Sequence, residues 1–124
     1  MEDFSLVTPE QLEEKLSQQI IALYQTHLSH QLNNVYCKII DKTITIVAED
    51  SITGLERFLL NNNRSELAQQ VRSTLHKVLE PHIKFLVESI VNVPVVDVIC
   101  NSIFDTGRTS MVAILANVPD FAST

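Results

Sequence analysis

At 124 residues the chain is long enough to bury a core as one domain without disulfide or metal staples, and 45 % apolar with 19 % charged residues excludes a disordered segment. The formal charge of −6 collects at the start: Glu2, Asp3, Glu10, Glu13 and Glu14 precede any base, leaving ten acids against nine bases from Lys15 onward. Arg64, Arg72, Lys77 and Lys84 alternate with Glu66, Glu80 and Glu88, which argues against the basic stripe of a nucleic-acid binder.

The opening MEDFS carries acids where a secretory signal carries bases, and Asn92, Pro94 and Asp97 interrupt the apolar run Ile90 to Cys100. The expectation is a cytoplasmic protein, neither secreted nor membrane-spanning, with residues 1–7 as an acidic leading segment. Thr8-Pro9-Glu10-Gln11 combines an N-cap, a proline at the first helical position and a capping-box glutamine, so a helix begins here. Leu12, Leu16, Ile20, Tyr24 and Leu28, flanked by Leu23 and His27, give it one apolar stripe as far as about His30, with Asn33 and Asn34 as the left-handed stop. Val35, Cys37 and Ile39, then Ile44, Ile46 and Ala48, alternate with their neighbours as paired strands do, joined at Asp41-Lys42.

Thr53 and Glu56 have capping-box spacing for a short helix whose apolar edge is Leu55, Phe58 and Leu59, ended by Asn61 to Asn63. Asn63 then caps a long helix whose expected buried stripe runs Leu67, Val71, Leu75, Val78 or Leu79, His82 or Ile83, Leu86 and Ile90. Pro81 removes one donor and predicts a kink rather than an end; Asn92 closes the helix. In the last hairpin Val96, Val98 and Cys100 oppose Val95 and Ile99, while Met111, Ala113 and Leu115 oppose Val112 and Ile114. Strands apolar on both sides are usually covered on both sides. The long helices supply one cover, so Val95, Ile99, Val112 and Ile114 are the expected interaction residues, and a homodimer the expected assembly. Residues 117–124 read as a frayed tail.

The fold class is therefore α+β in two layers: helix, strand, strand, short helix, long helix, strand, strand. A mainly antiparallel four-stranded sheet carries two long helices on one face, all within a single domain, 1–124. The helix–hairpin unit occurs twice, with Asn33 and Asn92 in corresponding places.

Asp105-Thr106-Gly107 has the form of an aspartic-protease triplet, but the corresponding turn, Asp41-Lys42, offers no matching loop with glycine. A bulged hairpin turn accounts for the triplet. His27 and His30 lack a third metal ligand at suitable spacing, and His76 with Glu80, one turn apart, reads as a surface pair, with a general-base pair as the alternative. Two glycines write neither a phosphate loop nor a dinucleotide fingerprint, so no cofactor, metal or catalytic residue is assigned. Cys37 and Cys100 read as reduced apolar thiols, with a redox disulfide as the alternative.

The stretch from Ser51 to Pro119, with Ile52, Thr53, Glu56, Arg57 and Arg72 at its centre, resembles the MpsC-like domain of unknown function. That family is named for the C subunit of a sodium-translocating membrane-potential-generating system, and the chain is similar to its short members in photosynthetic bacteria. The departures are Ser29 to Asn34 in place of a glycine-lysine-glycine-proline step, Asn92 in place of a glycine, and Asn101 in place of an aspartate. The resemblance implies an accessory protein associated with a membrane system for ion or inorganic-carbon uptake, with no catalytic residues assigned. A non-enzymatic interaction or regulatory module leads; the alternative is a small-ligand or catalytic cleft near Glu56, Arg57 and Arg72.

Overall fold

In a computed structural model, residues 7–121 are described; the acidic segment before Val7 and the last three residues lie outside them. Helix α1 spans Pro9–Leu28, and its capping box closes as the sequence predicts. Thr8 Oγ1 accepts from the Gln11 N–H at 3.1 Å, and the Gln11 side chain accepts from the Thr8 N–H at 2.9 Å. Leu12, Leu16, Ile20 and Tyr24 are buried, whereas His27 is exposed. The stop comes earlier than expected: Ser29, not an asparagine, takes the left-handed conformation at φ 50°.

Strands β1 (Val35–Ile40) and β2 (Thr43–Ala48) pair antiparallel across Asp41-Lys42, with Asp41 at positive φ. Helix α2 spans Gly54–Asn61 and α3 spans Ser65–Val91, continuing through Pro81. Asn92 ends α3 in the left-handed conformation, as expected, but no side chain caps its start at Arg64. Strands β3 (Val95–Ile103) and β4 (Arg108–Leu115) form the second hairpin. All neighbours in the sheet are antiparallel, in the order β1-β2-β4-β3.

This order makes the two helix–hairpin units equivalent halves, with β2 and β4 central, β1 and β3 at the edges, α1 against β1 and α3 against β3. Both helices lie on one face, where Ile44, Ile46, Met111, Ala113 and Leu115 meet Leu16, Ile20, Ile83 and Val87. Each Leu or Ile so withdrawn from water contributes roughly 1.5–3 kcal/mol. One outward N–H on each edge strand is also occupied: the Ile39 N–H donates to Glu13 of α1, and the Val95 N–H to Glu88 of α3, each at 2.8 Å. Anionic side chains seated on the strand edges oppose addition of a further strand there.

The buried stripe of α3 is Ala68, Arg72, Leu79, Ile83, Val87 and Val91: Leu79 and Ile83 are as expected, while Ala68, Arg72, Val87 and Val91 each lie one position beyond the expected Leu67, Val71, Leu86 and Ile90. In α2, Leu55 and Phe58 face solvent and Glu56 is the buried residue, the reverse of the expected apolar edge. The segment after Ala116 returns to the molecule as far as Phe121, which packs on the core beside a buried Pro119.

Candidate functional site

Both inversions have one cause. The capping box of α2 turns Glu56 inward, and Arg72, one residue inside the apolar stripe of α3, meets it. The guanidinium donates from Nε to Oε2 at 2.6 Å and from Nη2 to Oε1 at 2.5 Å, a bidentate pair with side chains 6 % and 0 % exposed. Glu56 Oε1 also accepts from the Thr53 N–H and hydroxyl at 3.0 and 2.8 Å, and Arg72 Nη2 donates to the Ser51 carbonyl at 2.9 Å. Burial pushes the Glu56 carboxyl up, but the donors on it more than offset that and hold it below its ordinary range. The pair thus ties α2 and the strand-to-helix segment before it to α3.

A chain of hydroxyls continues from this pair into the second hairpin. Ser51 Oγ donates to the Gly107 carbonyl at 3.0 Å and lies 2.6 Å from Thr109 Oγ1; Thr109 lies 2.6 Å from Ser102 Oγ, and Ser102 lies 2.9 Å from His76 Nε2. A carbonyl only accepts, and each hydroxyl has one proton, so the terminal acceptor sets every direction. Thr109 donates to Ser51, Ser102 to Thr109, and His76 donates from Nε2 to Ser102. The Ser102 proton therefore points away from His76, the opposite of a serine activated by a histidine base. Burial and the Arg72 charge hold the imidazole below its ordinary 6.5, against the pull of Glu80 and Glu56. His76 is thus part of the internal network rather than half of a surface pair with Glu80. Among the described residues, the buried Tyr24 Oη and Arg72 Nη1 make no hydrogen bond of ordinary geometry.

The aspartic-protease-like triplet is the turn that receives this chain. Gly107 has φ 76°, its N–H donates to Ile103, and its carbonyl accepts both the N–H and the hydroxyl of Ser51; Asp105 is exposed. Arg57 lies over this turn, where a Cβ on Gly107 would come within 3.1 Å of its Nη2. A left-handed backbone under an arginine explains glycine here.

Of the residues that carry the family resemblance, Thr53, Glu56 and Arg72 thus meet in one internal joint, while Ile52 is buried and Arg57 stays exposed over the Gly107 turn. The family described as Na+-translocating membrane potential-generating system (MpsC) matches residues 8–117, nearly everything described. The chain belongs to the MpsC family. No curated protein and no solved structure matches it.

In this MpsC chain the second surface of interest is the sheet face opposite the helices. Tyr36, Ile40, Ile99 and Ile103 are each more than half exposed there, around a centre of Val47, Val112 and Ile114. Of the four expected interaction residues, Ile99, Val112 and Ile114 lie on this face. Val95 does not: the pairing register shifts between Val95 and Asp97, so Val95 turns into the core at 3 % exposure, Val96 is the exposed extra residue of the bulge and Asp97 takes the outer position opposite Ile114.

His27 and His30 are not brought to one site. The His27 ring rests against His82 with centroids 4.7 Å apart, while His30 Nε2 contacts the Asp50 carbonyl at 2.5 Å. Among the described residues no three histidine, cysteine or acidic side chains gather as metal ligands.

Cys37, Ile46, Met111 and Cys100 share one row across the four strands. The two thiols are therefore about 14 Å apart, three strand spacings, and too distant for the redox disulfide raised as an alternative. Burial pushes the Cys37 thiol up and that of Cys100 up to about 11, from an ordinary value of 9.0. With the thiolate as nucleophile, alkylation of Cys100 by iodoacetamide at pH 7.5 is expected to run about 100-fold slower in folded than in urea-unfolded protein, as read by mass spectrometry.

Proposed function

We propose that the chain is a non-enzymatic accessory module that works by protein association. It presents the outer face of its sheet to a partner, in the first place a second copy of itself, and serves from the cytoplasm the membrane system for which its family is named. One observation carries this reading: a four-stranded face with an apolar centre and Tyr36, Ile40, Ile99 and Ile103 exposed around it, uncovered by any described residue. Contiguous apolar surface of this kind on a soluble chain marks an interaction site. The family description supplies the membrane connection, and no helix among the described residues is long and apolar enough to cross a bilayer.

The ligand-cleft alternative loses support because Glu56 and Arg72 direct their hydrogen bonds to each other and to Thr53 and Ser51. Multi-angle light scattering of the whole chain at micromolar concentration tests the reading. A mass twice the chain's 14.0 kDa, falling to 14.0 kDa for Ile40→Lys/Ile99→Lys with an unchanged far-UV spectrum, is the expected result. A wild-type monomer that captures no protein partner removes it.

A further inference from the structure

The outer face carries three charged side chains within its strands, and their placement restricts how two copies can meet. Cross-strand rows read Ile40–Thr43–Ile114–Asp97, then Lys38–Thr45–Val112–Ile99, then Tyr36–Val47–Ser110–Asn101. Arg108, below the third row, donates from Nε to both carboxylate oxygens of Glu49 at 3.1 Å and is already neutralised. Lys38 on edge strand β1 and Asp97 on edge strand β3 have no ion-pair partner among the described residues. They stand about 14 Å apart across the sheet, too far to reach each other within one protomer.

Resting on the sheet-face reading above, we infer that two copies stack face to face about a two-fold axis parallel to the strands. This lays β1 of one protomer over β3 of the other and joins each Lys38 to the partner's Asp97. A rotation about that axis reverses strand order and keeps the rows in step, so Lys38 lands one row from the opposing aspartate, within reach of its four-carbon stem. Central β2 covers central β4, which brings Thr45 and Val47 onto Val112 and Ser110, the packing of two aligned sheets. The competing two-fold, in the sheet plane but across the strands, sets β1 on β1. It gathers both lysines at one edge of the interface and leaves both aspartates at the other without a cation, which costs like-charge repulsion beside an apolar interface. Edge-to-edge joining is opposed by Glu13 and Glu88, which hold outward N–H groups of β1 and β3.

Charge reversal separates these arrangements. In Lys38→Glu the new acid faces the partner's aspartate at both symmetry-related contacts, and in Asp97→Lys two lysines meet at both. Either single variant should raise the dimer Kd about tenfold or more by analytical ultracentrifugation at low salt. The Lys38→Glu/Asp97→Lys double variant restores attraction at both contacts and should return the Kd to within about threefold of wild type. If both single variants dimerise like wild type while Ile40→Lys/Ile99→Lys is monomeric, the axis is overturned and the sheet-face dimer stands. A double variant as weak as the singles also overturns the axis. A wild type that never dimerises overturns the reading beneath it as well.

Discussion

Arg72→Leu is expected to lower the free energy of unfolding by about 3–5 kcal/mol, the cost of leaving one member of a buried ion pair without its partner. Leucine fits the apolar stripe of α3, so hydropathy alone would rate the change as favourable. The geometry gives the opposite sign. Without the guanidinium, Glu56 keeps only Thr53 as donor in a site with no water access, and the Ser51 carbonyl loses Nη2. A loss of that size is a large part of the stability of a small domain. Glu56→Gln should cost a comparable amount, since it strands a buried guanidinium, and the double variant should cost distinctly less than the two singles together. Urea unfolding of the four proteins measures this coupling; a single-variant loss under about 1 kcal/mol would show that the pair does not lock α2 to α3.

Acid should act on the same joint from two directions. Glu56 is depressed below its ordinary 4.5, so the unfolded carboxyl takes up its proton first. Its contribution is complete above that value and is lost as pH falls through the folded pKa. His76 is also depressed, below 6.5, and its contribution begins to fall at that higher pH for the same reason. Stability should therefore decline in two stages on acidification, the lower one setting in only below 4.5, and the upper stage should disappear in His76→Gln, as followed by urea midpoints from pH 8 down to about 2.

The sequence was most legible where its signals are local. Both capping boxes, both hairpins and the left-handed Asn92 follow from residues within a few positions of one another. The strand patterns also indicated a sheet with one face left uncovered. The joint was harder to see because Glu56 and Arg72 are sixteen residues apart, and each breaks the apolar rule of its own helix. Hydropathy therefore placed Leu55 and Phe58 inward in α2 and put the two ends of the α3 stripe one position early, whereas the buried row contains an arginine because a carboxylate waits for it. The resemblance singled out both residues without indicating that they touch. Val95 was misassigned because strict alternation cannot anticipate a register shift. One signal for the hydroxyl chain was present in β4: Thr109 has the same parity as Met111, Ala113 and Leu115, so a polar residue falls in an inward row and requires an internal partner.

That threonine is the second place where a small change should have a large effect. Thr109→Val preserves shape, adds no bulk to a site 1 % exposed, and removes the one hydroxyl that both accepts from Ser102 and donates to Ser51. Buried Ser51 then keeps only the Gly107 carbonyl and half-buried Ser102 only His76, one hydrogen bond lost from each, so stability should fall by about 1–3 kcal/mol. The network argument also predicts a change that simple loss of packing would not produce. Once Ser102 has no threonine to donate to, its proton is free to turn toward His76 Nε2, which favours the imidazole tautomer protonated at Nδ1. Ring-nitrogen chemical shifts at pH 8 should report Nε2–H in wild type and a shift toward Nδ1–H in the variant. Thr43→Val is the control: it deletes a hydroxyl that donates to the Ile40 carbonyl, outside this chain, so it should leave stability within about 1 kcal/mol and the His76 tautomer unchanged. Equal losses from the two substitutions, with the imidazole unaffected by either, would mean that the hydroxyls fill space without transmitting donor direction from Gly107 to His76.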